Sequence, residues 1–508
     1  MSLLAIDIGS SRCKGVLFSS LGKTLAQTTH TYAPEISRPF FAERNPDTFL
    51  NAVTTVSRSI GDLRHPDSIE SVCLCSHGET LICVDSSGAP LRPAILNIDT
   101  RAVAEAAWCE RQLGRQHLYE LTGHTSHTMY PVPKLLWLRT HEPQLFQAGC
   151  RFLAVISYLF LQLGLPPYID YSLASRFMAF DIRQKRWSDE ILTLLRMQAD
   201  SLPIPVPAGT AVGKLSREAA LQLGLPAGIE MIVGGHDQAC GSLGTGAIAP
   251  GTIFNSLGTY ESIAATSDEP MINENTLACN LNTYCHVIPN KYITLAYFPA
   301  GIMLQWFSDL LQLSNANSSS GKAEESYFAA LEALAPEEPS GLLVFPHLIG
   351  TCNPDFNSDA RGAIFGLTPA SHRGHIYKGI LEGIACELST MTRLFERTLG
   401  TLTDIYATGG GTRSPLGMRL RAALTGHRFH LMSCSESVCL GGAILAAVAA
   451  RHYPNLTDAA RQMIREQAVI EPDVNLERIT LPMKQRYAEL NSLLRVFEQS
   501  TIQRTSQE

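Results

Sequence analysis

Short apolar runs separated by a polar turn open the chain and predict a β-hairpin. Leu3–Ile6 and Gly15–Phe18 are apolar, whereas the segment between them, Asp7–Arg12 (DIGSSR), is polar apart from one isoleucine. Apolar runs of this length bounded by Gly, Ser and Asp are typical of buried strands. The run Thr24–Gln27 follows a second turn and predicts a third strand.

The same pattern returns in the middle of the chain. Gly251–Ser256 and Glu261–Ala265 predict two strands, and Leu257–Tyr260 (LGTY) lies between them as the turn. Both turns contain Gly together with Ser or Thr. Because each half opens with a strand–turn–strand unit, the sequence favours a duplicated nucleotide-binding fold with a cleft between the halves.

Helical periodicity appears between and after these strands. Apolar residues recur at helical spacing over Arg101–Leu113, Lys134–Arg139 and Ile376–Leu399. A further strand is predicted at Asp404–Thr408, before a glycine triplet and another helix. Strands alternating with helices indicate an α/β protein.

The length of 508 residues exceeds what one ordinary hydrophobic core accommodates, so two large domains are expected. The predicted division is an N-terminal domain at 1–246, a C-terminal domain at 247–451 and a helical extension with a polar tail at 452–508. Asn315–Lys322 (NANSSSGK) is predicted to be a loop, and Thr501–Glu508 to be disordered.

Composition narrows the class of protein. The chain is 45% hydrophobic and 17% charged, which is typical of a globular protein. A net charge of -7 gives no overall basic field that would attract nucleic acid or an anionic membrane. The N-terminus has no secretory pattern and no segment has about 20 uninterrupted apolar residues, so a cytoplasmic location is expected. The 13 scattered cysteines are interpreted as reduced core residues.

One acidic residue stands out in the stretch VGGHDQACG. Asp237 follows the apolar run Met231–Val233 and has Gly234 and Gly235 just before it. Asp beside Gly most often makes a structural turn, so a turn and a reactive carboxylate are both open. Packing is the first expectation for its neighbour His236.

The first turn carries groups that suit a phosphate. Glycine lets the backbone approach, hydroxyls and a guanidinium donate hydrogen bonds, and a carboxylate holds Mg²⁺ directly or through water. These groups are Gly9, Ser10, Ser11, Arg12 and, for the metal, Asp7. By itself the segment indicates only a hairpin turn, but together with Gly258 and Thr259 a pair of phosphate loops becomes the better interpretation. The triplet Gly409–Gly411 could lie against a nucleotide, and an ordinary loop is the alternative.

Polar residues at the ends of two other strands suggest a small-ligand pocket. His77–Thr80 (HGET) follows the apolar run at 71–75, and Asn97–Arg101 (NIDTR) follows another. Asp99 has an alternative role as the cap of the helix that begins near Arg101. His124 and His127 are three apart without an evident third ligand, so they are interpreted as surface histidines rather than a zinc site.

Several motifs in order resemble the FGGY carbohydrate kinases, a family that includes glycerol kinase, xylulokinase, ribulokinase and L-fuculokinase. The first signature is Met129–His141 (MYPVPKLLWLRTH), around a lysine and a tryptophan. The second is Gly362–Leu367 followed by His375-Ile376 and Gly379–Glu382, with Gly379 where Ala or Ser is usual. The resemblance runs from about residue 3 to about residue 450.

The resemblance implies two actin/hexokinase-like (ribonuclease H-like) ATPase domains that close over a cleft, and ATP-dependent phosphorylation of a small sugar or polyol with Mg²⁺. It implies that Asp237 is the catalytic base. The expected sugar contacts are His77, Gly78, Glu79, Asn97, Asp99, Met129 and Gln238. The nucleotide contacts are Gly9, Ser10, Ser11, Arg12, Gly258, Thr259, Gly301, Gln305, Gly410, Gly411 and Ser414.

Departures from the family bear on the substrate. Glycerol kinases have Arg, Trp and Tyr at the positions of Gly78, Asn97 and Met129, so glycerol is not the expected substrate. Ser414 stands where glycerol kinases have Asn. A longer polyol or a ketose remains open, as does the hydroxyl that is phosphorylated.

Two other functions compete with the kinase. A non-catalytic sensor on the same scaffold would not need the residues Asp7, Asp237 and Gly258-Thr259, and an ATPase chaperone would need a peptide-binding domain after the core. Neither nucleic acid nor a membrane is expected as a partner. Family members are often dimers or tetramers, so a homodimer is left open.

Overall fold

The structure is a computed structural model that describes residues 1–63, 68–147, 149–311 and 321–505. The strands of the first half are β1 (Ser2–Ile8), β2 (Arg12–Ser19), β3 (Thr24–Thr31), β4 (Glu35–Arg38), β5 (Phe41–Arg44), β6 (Ile69–Ser76), β7 (Ile82–Val84), β8 (Ala94–Ile95), β9 (Arg151–Leu153), β10 (Tyr168–Asp170), β11 (Phe180–Asp181), β12 (Arg186–Trp187), β13 (Ile204–Val206), β14 (Ala211–Lys214) and β15 (Glu230–His236). Its helices are α1 (Asp47–Gly61), α2 (Val103–Leu113), α3 (Arg115–Thr122), α4 (Pro131–His141), α5 (Val155–Gln162), α6 (Tyr171–Ser175), α7 (Asp189–Leu195), α8 (Arg217–Leu223) and α9 (Asp237–Thr245).

The second half also alternates strands with helices. Its strands are β16 (Ile253–Leu257), β17 (Tyr260–Ser267), β18 (Asn282–Cys285), β19 (Tyr292–Pro299), β20 (Leu343–Phe345), β21 (Ala363–Phe365), β22 (Asp404–Thr408), β23 (Arg428–Met432) and β24 (Glu466–Ile470). Its helices are α10 (Glu274–Ala278), α11 (Gly301–Leu310), α12 (Gly321–Ala333), α13 (Arg373–Leu399), α14 (Pro415–Thr425), α15 (Ser437–Ala449), α16 (Leu456–Met463) and α17 (Val474–Thr505).

Two large sheets organise these elements and repeat one topology. The first has the order β14-β15-β6-β1-β2-β3, and the second has the order β18-β19-β17-β16-β22-β23-β24. In each sheet the opening strand pairs antiparallel with the next strand and parallel with a later one, β6 in the first sheet and β22 in the second. The predicted hairpins and the duplication are therefore present.

Burial explains why the central strands form. The burial pattern of β1 shows every position except Asp7 buried, so its apolar run is covered on both faces. Because β6 and β15 lie parallel to β1, the carboxyl ends of the three strands meet at one edge of the sheet. This edge faces the second half and carries the polar segments after β1, β6 and β15.

Helices α9 and α15 join the two halves through close glycine contacts. A Cβ on Gly244 would lie 1.9 Å from the carbonyl oxygen of Ser437, and one on Gly441 would lie 2.0 Å from that of Cys240. No side chain fits at either glycine, so the two helix backbones approach each other directly. A hydrophobic cluster that combines residues of both halves includes both helices. The packing fixes α9, whose first residue is Asp237.

The structure corrects the C-terminal prediction. Helix α17 continues through Thr505, so the tail predicted to be disordered is helical at 501–505, and residues 506–508 lie outside the described part. The extension after residue 451 also contributes β24, which pairs antiparallel with β23 and completes the second sheet. The sequence of β24 has mixed polarity and gave little indication of a strand. The strand is stabilised by pairing with β23, which lies in a distant segment.

Other local predictions have simple outcomes. In the predicted loop Asn315–Lys322, residues 315–320 lie outside the described part, and Gly321 begins α12. All 13 cysteines are free and ten are buried, as expected for reduced core residues. In the described ranges, no helix is long and apolar enough to cross a membrane.

Candidate active site

Asp237 lies at the junction of a central strand and the helix that joins the two halves. It is the first residue of α9, directly after β15, and its side chain is 26% exposed. The Gln238 amide donates to Asp237 Oδ1 at 2.6 Å. Burial raises the pKa of Asp237 to about 7, helped by the charge of Glu79 and opposed by that of Arg176. A carboxylate with this pKa can accept a proton near neutral pH.

Asp7 is a second, partly buried carboxylate at the same edge. It lies near the end of β1, and burial followed by the charge of Asp237 raises its pKa well above the ordinary range. Its Oδ1 is buried and has no hydrogen-bond partner within the described part of the chain. An unpaired carboxylate oxygen among negative charges fits a site for a divalent cation, because such a cation would favour both charged forms.

The turn between β1 and β2, which is predicted to bind phosphate, is held by hydrogen bonds to its carbonyl oxygens. Tyr32 Oη donates to the Gly9 carbonyl at 2.6 Å, and Arg44 Nη1 donates to the Ser10 carbonyl at 2.8 Å. The Tyr32 amide donates to the Ser11 carbonyl at 2.9 Å. The side chains of the turn, Ser10, Ser11 and Arg12, are exposed. With the carbonyls occupied, the turn presents donors to an anion.

The turn between β16 and β17, also predicted to bind phosphate, is held in a similar way by the start of α11. The Gly301 amide donates to the Gly258 carbonyl, and the amides of Ala300 and Ile302 donate to the Thr259 carbonyl, each at 3.2 Å. A Cβ on Gly301 would lie 2.4 Å from the Gly258 carbonyl oxygen. Glycine at this position is therefore needed for the close approach.

The glycine triplet lies beside this second turn. Gly409 has φ of 102°, and its Cβ would lie 2.5 Å from the carbonyl oxygen of Leu257, which precedes Gly258. A Cβ on Gly410 would meet no atom within 4 Å, so one face of the triplet is open. The structure thus places Gly258, Gly301 and Gly410 close together.

Two further predicted nucleotide contacts have other partners in this structure. Gln305 is exposed, and its Nε2 donates to Asp309. Ser414 caps α14 and donates to Glu332 at 2.7 Å. Their nucleotide roles stay predictions.

The residues predicted to contact the sugar include Glu79, which forms a buried ion pair with Arg176. Arg176 Nε donates to Glu79 Oε1, and the two side chains are 3% and 4% exposed. Arg176 Nη1 is buried without a hydrogen-bond partner in the described ranges. The Arg176 guanidinium also lies over the rings of Tyr130 and Tyr284, at 5.2 and 5.1 Å. A buried donor without a partner in this setting suits an oxygen of a polar ligand.

Gly78 has little room for a side chain, and Glu79 has an unusual backbone conformation. A Cβ on Gly78 would lie 3.1 Å from His236 and 3.2 Å from Arg176, so a larger residue would displace them. Glu79 has φ of 66°, which is costly for a side chain other than glycine and often marks a functional site.

Two predicted sugar contacts are already bonded within the protein. His77 Nδ1 lies 2.9 Å from the Ile8 carbonyl, and its Nε2 lies 2.7 Å from Thr80 Oγ1. Asp99 accepts hydrogen bonds from the Arg101 guanidinium and the Ala42 amide. This geometry favours positioning roles for both side chains. Asp99 also does not cap α2, which begins at Val103.

Met129 and Gln238 lie at the junction of the halves. Met129 borders a cavity of about 240 Å³ whose other walls include Asn282 of the second half. Asn97 is half-buried. Gln238 Oε1 accepts a hydrogen bond from Ser262 at 2.8 Å and so connects α9 to β17.

One histidine prediction is wrong. His124 was predicted to lie on the surface, but it is fully buried. Its Nδ1 lies 3.2 Å from Asn282 Oδ1, and its ring packs on that of Tyr130. Burial lowers its pKa well below the ordinary range. No group of three or more His, Cys, Asp or Glu side chains suited to a metal occurs among the residues the structure describes. Neither histidine is part of such a group.

Sequence reasoning did not single out Arg176, Tyr284 or His236 for the polar site. Tyr284 Oη lies 3.1 Å from His236 Nδ1, and burial lowers the His236 pKa. Arg176 directly follows the short helix α6. The only feature of this segment that the sequence offered was one charged residue within an apolar run.

The duplicated sheets, with a glycine-containing turn after the opening strand of each, match the predicted two-domain fold of the actin/hexokinase type. Sequence comparison identifies the family. Residues 2–244 match the N-terminal domain of the FGGY family of carbohydrate kinases, and residues 253–450 match its C-terminal domain. The chain belongs to the FGGY family and is a carbohydrate kinase.

Curated relatives and solved structures agree with this assignment. The chain is 27% identical to the xylulose kinase of Bacillus subtilis (strain 168) over 92% of both proteins. It is 29% identical to the gluconokinase of the same organism, over 91% of this chain and 90% of that protein. The structure of the ligand-bound xylulose kinase from Lactobacillus acidophilus superposes with a TM-score of 0.86 at 22% identity, covering 97% of this chain and 98% of that one. These structural matches confirm the predicted fold.

Proposed function

We propose that the protein transfers the γ-phosphoryl group of ATP to a hydroxyl of a small ketose or polyol, with Asp237 as the general base. The observation that carries this proposal is the position of Asp237, which interacts with the charges of the buried Glu79–Arg176 pair and with the charge of Asp7, close to the turn at Gly9–Arg12. Both the predicted base and a polar ligand site lie at one edge of the first sheet.

The reaction assigns a separate task to each side of the cleft. The turns at Gly9–Arg12 and Gly258–Thr259 hold the phosphates, while Glu79 and Arg176 Nη1 hold sugar oxygens. Asp237 accepts the proton of the attacking hydroxyl as its oxygen bonds to the γ-phosphorus. The bond to the β-phosphate oxygen breaks, giving ADP and a sugar phosphate. Such transfer depends mainly on positioning and charge stabilisation.

Asp7 would hold Mg²⁺, directly or through water. The unpartnered Oδ1 of Asp7 supports this assignment. A bound Mg²⁺ neutralises charge on the phosphate oxygens. Asp7 and Asp237 therefore have different roles although both pKa values are raised.

The substrate class follows only in part from the relatives, one named a xylulose kinase and another a gluconokinase. Arg176 faces Glu79, so the site combines a donor with an acceptor and suits hydroxyl groups, each of which donates and accepts. For this reason we propose an uncharged ketose or polyol ahead of a sugar acid.

A coupled assay of ADP release tests this function. The purified protein, ATP and Mg²⁺ would be screened against pentuloses, hexuloses, heptuloses, polyols of four to six carbons and gluconate. We expect ADP release that depends on an uncharged sugar or polyol. Turnover with gluconate alone would contradict the substrate class, and sugar binding without turnover would favour a non-catalytic sensor.

A further inference from the structure

Lys134, the lysine of the first signature, is buried and donates to three backbone carbonyls. It lies on α4 and has no exposed surface. Its Nζ donates to the carbonyl oxygens of Glu79 at 2.8 Å, Leu96 at 2.9 Å and Met129 at 2.7 Å. An ammonium group has three N–H donors and no acceptor, so these bonds use all of its capacity.

The three acceptors belong to three different loops on the sugar side. Glu79 follows β6, Leu96 follows β8 and Met129 precedes α4. Glu79 and Met129 are themselves predicted sugar contacts, and Leu96 directly precedes a third, Asn97. One nitrogen atom therefore connects the backbones that carry three predicted contacts.

The conformation of Glu79 makes this support relevant to binding. Its φ of 66° is unfavourable for a glutamate, so surrounding contacts must hold it. The Arg176 guanidinium holds its side chain, and Lys134 holds its carbonyl.

Opposing effects act on the protonation of the Lys134 ammonium group. Burial lowers its pKa to about 7, while the charges of Glu79 and Asp99 raise it. Three carbonyl acceptors stabilise the protonated form, because only that form offers three donors.

We propose that Lys134 is a positioning residue for the sugar, which sets the relative positions of the loops at Glu79, Asn97 and Met129. Its ammonium does not contact the reacting atoms. The proposal rests on the proposed function, since it assigns the sugar to these loops. Loss of the ammonium should weaken sugar binding and leave nucleotide binding intact.

The second half provides a matched control in Lys378. This lysine is 1% exposed, and its Nζ donates to the carbonyls of Pro336 at 2.8 Å, Glu337 at 2.9 Å and Glu338 at 2.8 Å. The three carbonyl hydrogen bonds are the same, and Lys378 Nζ also lies 4.0 Å from Glu382 Oε1, but all three carbonyl acceptors lie in one loop that has no predicted sugar contact. Substitution at Lys378 therefore measures the structural cost of losing a buried, triply bonded lysine.

The kinetic experiment compares Lys134→Met and Lys134→Gln with Lys378→Met and Lys378→Gln. We expect Lys134→Met to raise the sugar KM by about 10- to 100-fold, as misplaced binding groups do, with the KM for ATP changed less than about twofold. Lys134→Gln keeps an amide that donates two hydrogen bonds and should have an intermediate effect. The Lys378 variants should lower the melting temperature without raising the sugar KM.

Equal effects of the two lysines on the sugar KM would overturn the proposal. So would a Lys134→Met variant whose KM values for sugar and ATP rise together. Failure of both Lys134 variants to fold, while the Lys378 variants fold, would also overturn it by showing that Lys134 acts in stability alone.

Amide hydrogen exchange separates this proposal from the proposed function. Lys134→Met should raise exchange at segments 77–81, 95–99 and 127–131, whether or not any sugar is turned over. Unchanged exchange in these segments would contradict the positioning role. A wild-type protein that turns over no sugar would contradict the proposed function. In that case the hydrogen-exchange measurement alone would still test whether Lys134 positions the three loops.

Discussion

Arg176 donates a hydrogen bond to Glu79, and the two side chains form a buried ion pair beside Asp237. Their charges act on Asp237 in opposite directions, since Glu79 raises its pKa and Arg176 lowers it. The pair therefore affects the acidity of the proposed base as well as the sugar.

Single substitutions in this pair should shift the pH profile in opposite directions. In the wild type, kcat/KM for the sugar should fall as the pH drops below about 7, because Asp237 becomes protonated. Glu79→Gln should move this acid limb to lower pH, and Arg176→Met should move it to higher pH. Each should also lower kcat/KM by about 10- to 100-fold, since each removes a hydrogen bond to or from a charged group.

A second buried ion pair serves as the control for this prediction. Arg421 Nη2 lies 2.6 Å from Glu261 Oε2 in the second half, with side chains 4% and 1% exposed. Glu261→Gln should affect stability and leave the acid limb in place. Shifts of the same sign for Glu79→Gln and Arg176→Met would show that their charges do not act on the base.

Removing the charge of Asp237 should stabilise the protein above neutral pH. The folded pKa of about 7 lies above the ordinary aspartate pKa of 3.8, so the folded state binds more protons between these values. Stability contributed by this group consequently falls as the pH rises from about 4 to about 7. Asp237→Asn should be more stable than the wild type at pH 8, by on the order of 4 kcal/mol, and similar to it near pH 4. Calorimetric melting at both pH values measures the difference, and an equal difference at the two would contradict the raised pKa.

Asp7 should control the response to Mg²⁺. Asp7→Asn removes one charge from the proposed cation site and should lower kcat by at least about 100-fold, as loss of a preorganised electrostatic group does. The Mg²⁺ concentration for half-maximal activity should also rise. Titration of activity with Mg²⁺ gives both quantities, and calorimetry of ADP binding without metal provides the control. An unchanged Mg²⁺ requirement in an active Asp7→Asn protein would place the metal elsewhere.

Gly301→Ala should disturb the nucleotide side alone. The new methyl group would lie 2.4 Å from the Gly258 carbonyl oxygen, so the second phosphate turn must move. We expect the KM for ATP to rise by about 10-fold or more, with the sugar KM nearly unchanged. Steady-state kinetics with each substrate varied in turn distinguishes the two. A rise in the sugar KM alone would contradict the placement of the nucleotide at this turn.

The sequence predicted the parts of the site that local patterns determine. Apolar runs with Gly- and Ser-containing turns indicated both hairpins, and Asp237 was recognisable because glycines and an apolar run precede it. The FGGY resemblance added the family and the candidate role of each position. The polar groups converge because β1, β6 and β15 pair in parallel, which brings their carboxyl ends to one edge of the sheet.

Contacts between distant segments were not predictable in this way. Arg176 meets Glu79 across 97 residues of sequence, and Lys134 binds the Glu79 carbonyl across 55. In the sequence, Arg176 is only a charged residue within an apolar run, and the signature that contains Lys134 does not indicate which carbonyls this lysine binds. His124 was misjudged for the same reason, because its burial depends on Asn282 in the other half.

The general-base role of Asp237 is the central claim, and the kinetics of Asp237→Asn test it most directly. The variant should fold, bind ADP as the wild type does, and lose about 100- to 10,000-fold in kcat with the sugar that the screen identifies. The amide retains the size of the side chain but does not accept the hydroxyl proton. Near-normal turnover by a well-folded Asp237→Asn protein would contradict the account.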